Sequence, residues 1–105
     1  MDYISLIDKY YSTNLELRNV LITHSRQVCE RALEIGRRLQ EAGVAVDLPF
    51  VEEAAMLHDI GIFLTDAPGI SCFGTEPYIR HGWLGAELMR AEGFPEHALV
   101  CERHT

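Results

Sequence analysis

Apolar residues recur along most of this chain at the spacing of an α-helix. Between about residues 23 and 42, steps of 4, 3 and 4 separate Val28, Ala32, Ile35 and Leu39. Such steps place side chains on one helix face, and the charged residues of this segment fall mostly on the others. Gly43 is a typical C-terminal stop. The segment therefore predicts a long amphipathic helix that buries this stripe.

Capping residues and helix breakers divide the rest of the chain into further helices. Helices are predicted over residues 2–11, 15–20, 47–61, 78–92 and 95–105, the last still helical where the sequence ends. Residues 62–77 contain two prolines and two glycines and predict a long loop, of the kind that often forms a lid or binding segment. No segment predicts a strand. The expected fold is all-α, one domain over residues 1–105.

Composition narrows the functional classes. A net charge of -7 disfavours general nucleic-acid binding, and a phosphorylated substrate would need a cation in the site. The three cysteines form no CxxC pair, so a disulfide framework or cysteine-type zinc site is not expected, and a reducing cytoplasmic location is. Neither a signal peptide nor an apolar run long enough to cross a bilayer is visible, so no membrane association is predicted.

Four histidines continue the apolar faces of four predicted helices. His24 lies four residues before Val28, His58 four after Ala54, His81 three before Leu84, and His104 four after Val100. Each imidazole is therefore expected to point into the bundle. For one such histidine, a hydrogen-bonded core side chain is the simpler interpretation. Four together favour a shared metal ion. His97 is interpreted as a surface histidine without a metal role.

A carboxylate stands beside the second of these histidines. Asp59 follows His58 near the end of the predicted helix 47–61, where the helix dipole disfavours an acid. Its placement there indicates a compensating cation. Gly61 then allows the chain to turn away sharply.

These residues resemble the signature of the HD superfamily of metal-dependent phosphohydrolases. Leu57-His58-Asp59-Ile60-Gly61, within EEAAMLHDIGI, is similar to its central motif, and LITHSRQV contains a histidine similar to its first ligand. YIRHGWLGAELM and CERHT resemble the segments with two further histidines in binuclear members. The resemblance covers about residues 14–105. It is strongest to small bacterial hydrolases that cleave dinucleoside tetraphosphates symmetrically, and extends to cyclic-dinucleotide phosphodiesterases.

The resemblance implies a helical bundle with one or two divalent metal ions. The implied ligands are His24, His58, Asp59, His81 and His104. Asp59 would bridge the two ions, and Asp59 and His58 would be the catalytic residues around a metal-activated water. Iron or manganese is the first expectation, with zinc, nickel, cobalt and magnesium as further options. Arg80 is a candidate contact for a small phosphorylated substrate, with a nucleotide as the expectation.

Two departures from the superfamily pattern leave alternatives open. Ile62 stands where many members have a lysine, and no aspartate follows Asp66, although members carry a last aspartate ligand after the final histidine. We expect that the sequence is truncated before that residue, and that the exposed faces of residues 78–92 and 95–105 then favour a homo-oligomer. The alternatives are a di-iron oxygenase of the same fold and a regulatory or sensor module without turnover.

Overall fold

A computed structural model describes residues 1–104, and most of them are helical. The α-helices within this range are α1 (Tyr3–Tyr11), α2 (Leu15–Glu41), α3 (Leu48–Leu57), α4 (His81–Ala91) and α5 (Pro95–Arg103). The prediction of an all-α domain is confirmed. The predicted continuation of the last helix to Thr105 lies partly outside the described residues, and α5 itself ends at Arg103.

Side-chain caps fix where three of the helices begin. The carboxylate of Asp2 accepts a hydrogen bond from the Ser5 amide at 3.0 Å. Asn14 Oδ1 caps α2 through the Leu17 amide at 3.1 Å, and Asp47 Oδ1 caps α3 at the same distance. Caps of this kind each stabilise a helix by about 1 kcal/mol. The starts predicted at residues 2, 15 and 47 therefore agree within one residue with the observed starts at Tyr3, Leu15 and Leu48.

The long helix differs from its prediction in extent and in the face that it buries. It runs unbroken from Leu15, so the predicted interruption near residue 21 is wrong; nothing there removes a backbone donor or frees the backbone. Its buried stripe is Leu17, Leu21, Ser25 and Cys29, at steps of four. The predicted stripe is displaced from this face, and Ile35 and Leu39 are 44% and 43% exposed. At 27 residues, or about 40 Å, α2 extends beyond its buried stripe, and after Cys29 only Gly36 is buried.

The predicted loop over residues 62–77 is a compact, ordered segment, and the prediction of no strand is wrong there. Two short antiparallel strands, β1 (Asp66–Ala67) and β2 (Cys72–Phe73), are joined by a 3₁₀ turn over Pro68–Ile70 and lie between two more, over Ile60–Leu64 and Tyr78–Arg80. Ser71 adopts a left-handed φ of 63° between the strands, which permits the reversal. The predicted helix 47–61 accordingly ends at Leu57, and the predicted helix 78–92 begins as α4 at His81.

The core lies where all five helices meet. Its fully buried members include Ile7, Tyr11, Leu17, Leu21, Leu57, Ile60, Met89, Ala98 and Cys101. One close backbone approach sets the position of α4. A Cβ on Gly61 would lie 2.4 Å from the His81 carbonyl oxygen and 2.5 Å from the Gly85 nitrogen. Only glycine allows this contact, and the contact brings the first residue of α4 beside the end of α3.

Within residues 1–104, no helix is both long enough and apolar enough to cross a lipid bilayer.

Candidate metal centre

The five predicted site residues come from four segments that meet at the end of α3. His58 caps α3 and Asp59 follows it, and both are 8% exposed. His24 lies midway along α2, His81 begins α4, and His104 follows the last residue of α5. The structure therefore brings all five together, although they are up to 80 positions apart in the sequence.

Backbone carbonyls hold three of the imidazoles in one orientation. The Nδ1 atoms of His58, His81 and His104 lie 2.5, 2.6 and 2.6 Å from the carbonyl oxygen three residues earlier. A carbonyl oxygen can only accept, so each Nδ1 carries a proton and donates it. In the neutral imidazole the lone pair is then on Nε2, which is the arrangement of histidines that bind metals.

The Nε2 atoms of all four histidines converge on one carboxylate. Asp59 Oδ2 lies 3.0 Å from His24 Nε2 and 3.3 Å from His58 Nε2. Asp59 Oδ1 lies 2.8 Å from His104 Nε2 and 3.3 Å from His81 Nε2. The Nε2 atoms of His81 and His104 are themselves 3.0 Å apart. Asp59 therefore belongs to two donor groups, one on each oxygen.

The electrostatics of the cluster keep Asp59 ionised. Burial raises the pKa of Asp59, but in the protonated forms of His104 and His58 the Nε2–H groups donate hydrogen bonds to it, which more than offset the burial and hold the pKa well below its usual range. Burial lowers the pKa of His58, while the hydrogen bonds to Asp59 and to the Ala55 carbonyl outweigh it, so the net pKa is raised. The centre of the cluster is a buried negative charge surrounded by imidazoles.

The donor set fits divalent metal ions. Nitrogen and oxygen ligands at about 2.1 Å from an ion are separated by about 3.0 Å when they occupy adjacent octahedral positions. The distances of 2.8–3.3 Å between Asp59 oxygens and imidazole nitrogens match that spacing. Two Nε2 lone pairs facing each other at 3.0 Å would also repel unless a proton or cation lies between them. Each group offers three protein donors, which leaves coordination positions open.

Two histidines differ from their predicted environments. The His24 side chain is 52% exposed, so it lies at the rim of the cluster and is not buried as predicted, because α2 forms the outer wall there. His97, predicted at the surface, is only 8% exposed. Its Nε2 lies 2.9 Å from Glu53 Oε1, and its ring packs against Phe50 and Phe94. Because Pro95 starts α5, the turn that carries His97 faces Phe50 and Glu53 of α3, which buries the imidazole. His97 belongs to neither donor group.

Arg80 lies beside the centre but is engaged elsewhere. Its guanidinium carbon is 4.7 Å from the centre of the Trp83 ring, and Nη1 lies 3.5 Å from Glu76 Oε2. The side chain is about half exposed. Its predicted substrate contact stays a prediction.

A pocket of about 230 Å³ opens beside the donor groups, and no local sequence pattern predicts it. Its walls are Val20, Leu21, His24, Asp59, Ile62, Ile70 and Tyr78. These residues come from α2, the end of α3 and the ordered segment after it. Their neighbourhood depends on tertiary packing, which sequence spacing does not encode.

The chain is similar to known proteins over most of its length. The HD domain family matches residues 21–105. Over 92 residues the chain is 37% identical to an uncharacterized protein of Methanocaldococcus jannaschii; the alignment covers 87% of the chain and 47% of that relative. The chain thus spans about half the length of the curated relative. No solved structure matches it significantly. Since the family match covers most of the chain and includes every residue of the two donor groups, the chain belongs to the HD domain family.

Proposed function

We propose that this domain is a metal-dependent phosphohydrolase that cleaves a small phosphorylated substrate. The observation that carries the proposal is the shared carboxylate: Asp59 offers one oxygen to His24 and His58 and the other to His81 and His104. A carboxylate between two sets of imidazoles suits a pair of divalent cations, with iron or manganese as the first expectation.

The residues of the chain have distinct tasks in this proposal. Asp59 and the four histidines would hold two cations. A bound cation pair lowers the pKa of a water molecule and neutralises phosphate oxygens. The carbonyls of Ala55, Tyr78 and Cys101 orient three imidazoles so that Nε2 faces the centre of the cluster. Little reorganisation of these side chains is therefore needed when metal ions bind.

The charge of the domain supports a cation-dependent reaction. With 16 acidic against 9 basic side chains, the protein field repels a phosphorylated substrate. Asp59 adds a buried negative charge at the point where that substrate would bind. A domain with this charge needs bound cations to hold a phosphate beside the carboxylate.

The proposal is tested by loading the protein with each candidate metal and measuring phosphate release from a panel of phosphoesters and nucleotides. Replacement of Asp59 by Ala should lower the rate by more than about 100-fold and cost more than replacement of His104, since Asp59 belongs to both donor groups. Circular dichroism checks that each variant is folded. Full activity in Asp59→Ala would place the chemistry elsewhere.

The same panel separates the alternatives. A di-iron oxygenase would consume oxygen and substrate without releasing phosphate. A sensor module would bind metal and ligand without turnover of either kind.

A further inference from the structure

The pocket beside the metal centre divides into a polar end and an apolar end. His24 and Asp59, which line it, belong to the donor groups. The remaining walls are the aliphatic side chains of Val20, Leu21, Ile62 and Ile70 together with Tyr78. A substrate with its phosphate at the metals would therefore place its organic group against hydrocarbon and a phenol ring.

Cationic side chains are absent from these walls among residues 1–104. Arg80 is paired with Glu76, and Arg18, on the same helix as Val20, is paired with Asp8. Ile62 is 4% exposed and lines the pocket, and its amide donates to the Asp59 carbonyl at 3.1 Å, so a branched hydrocarbon lies one turn from the carboxylate. A second phosphate or a carboxylate in this pocket would lose hydration without gaining a counter-charge.

The pocket is small and its walls are held in place. Its volume of about 230 Å³ is below the roughly 300–1,000 Å³ typical of pockets for drug-sized ligands. The Tyr78 ring packs on the His81 ring at 4.5 Å between centroids. Asn14 Nδ2 donates to the Ser71 carbonyl at 3.1 Å and ties the segment that carries Ile70 to the start of α2.

A neighbouring hollow extends the same surface outward. It shares Ile70 and Tyr78 with the pocket and adds Ala67 and Gly69. Ile70 and Tyr78 are 37% and 43% exposed, so apolar surface continues from the pocket to the outside. If the organic group of a substrate is a few carbon atoms longer than the pocket, its end would lie in this hollow.

We propose that the pocket selects phosphoesters whose organic group is small, uncharged and apolar, such as an alkyl group of a few carbon atoms. Substrates with a second anionic group are disfavoured. This inference rests on the proposed hydrolase function, and it replaces the expectation of a nucleotide by a monophosphate ester of an apolar alcohol.

The test uses methyl, ethyl, propyl and butyl phosphate with the metal-loaded protein, because their leaving groups differ little in chemistry. Burial of each methylene should raise kcat/KM about fourfold until the pocket is full. Nucleoside monophosphates and triphosphates are measured in parallel. A flat or falling series, or a preference for the triphosphates, would overturn the inference while leaving hydrolysis itself established.

A binding measurement makes the test independent of turnover. Calorimetry compares the binding of butylphosphonate, methylphosphonate and 3-phosphonopropionate. The proposed hydrolysis of phosphate esters does not cleave the P–C bond of these compounds. Butylphosphonate should bind at least about tenfold more tightly than each of the others. If no phosphoester is hydrolysed, the hydrolase proposal fails and this ranking still decides the pocket's selectivity; equal binding of the three contradicts it.

A pair of variants links the preference to the pocket. Val20 lines it and is 38% exposed, whereas Leu15 lies on the same helix, is 65% exposed and is not part of the wall. Val20→Arg should shift binding toward 3-phosphonopropionate by roughly fivefold, since it adds a cation at the rim. Leu15→Arg adds the same charge and should leave the ratio unchanged. Equal shifts in both variants would show that net charge alone sets the preference.

Discussion

Replacement of Gly61 by Ala should disturb the metal centre without changing any of its donors. The added Cβ would lie 2.4 Å from the His81 carbonyl oxygen and 2.5 Å from the Gly85 nitrogen. Relief to about 3.0 Å requires a separation of α4 from this turn by roughly 0.5–0.6 Å, because both contacts are to backbone atoms that cannot rotate away. His81 begins α4, so its ring would move with the helix.

The displacement has two measurable consequences. Overpacking of this kind costs about 1–3 kcal/mol. In a domain of this size that lowers Tm by about 4–8 °C per kcal/mol. His81 Nε2, now 3.3 Å from Asp59 Oδ1, would also lose its place in one donor group. Calorimetry should therefore show one metal site weakened by about tenfold or more, with the site of His24 and His58 less affected.

Gly69→Ala is the matched control for this experiment. Nothing lies within 4 Å of a Cβ built on Gly69, and its φ is not in the left-handed region. The control should keep both the Tm and the metal affinities of the wild type. A Gly61→Ala protein with wild-type Tm and wild-type metal binding would refute the claim that this glycine sets the position of α4.

Three further predictions follow from burial, capping and charge. Burial raises the pKa of the Cys101 thiol to about 12 and also raises the pKa of Cys72. A disulfide reagent at pH 8 should therefore react slowly with the folded protein, whereas after denaturation it should titrate three thiols per chain. Fast reaction of these thiols in the native protein would contradict this. Asn14→Ala should lower the free energy of unfolding by about 1–2 kcal/mol in chemical denaturation, because α2 loses its cap and the Ser71 carbonyl loses the hydrogen bond from Asn14 Nδ2. Asn14→Asp keeps the cap and loses only the bond to Ser71, so it should be the less destabilised of the two. The hydrogen bond from His97 lowers the pKa of Glu53 below its usual 4.5, so the stability that it contributes is present above that pH and is lost as pH falls through the folded-state pKa. Glu53→Gln should therefore have a lower free energy of unfolding than wild type at pH 6, and the gap between the two proteins should shrink toward pH 3. A gap that grows toward pH 3 would argue against the interaction.

Local patterns predicted the helices and the donor residues because both depend on near neighbours. Caps such as Asn14 and Asp47 act within three residues, and histidines at helical spacing share a face with apolar residues. Asp59 could be recognised from its unfavourable place at a helix end. The combination of these signals and the HD motif gave the site residues that the structure brings together.

The parts that sequence did not predict depend on distant contacts. The buried face of α2 is set by which helices pack on it, so Ile35 and Leu39 are exposed although they continue a regular stripe. His97 is buried because Glu53 and two aromatic rings from other segments meet it. The hairpin over Asp66–Phe73 is too short for a periodic signal, and it is held by backbone hydrogen bonds such as Asp66 N to Glu76 O at 2.8 Å.

We propose that one carboxylate, that of Asp59, serves two metal ions. The most direct test of this proposal is the number of manganese or iron ions bound per folded chain, measured by elemental analysis and calorimetry on the wild type, Asp59→Asn and the control Asp66→Asn. Asp66 is an exposed aspartate outside both donor groups. We expect two ions in the wild type and in the control, and loss or strong weakening of both in Asp59→Asn, because each donor group loses its only carboxylate. Undiminished binding of either ion by folded Asp59→Asn would contradict the claim.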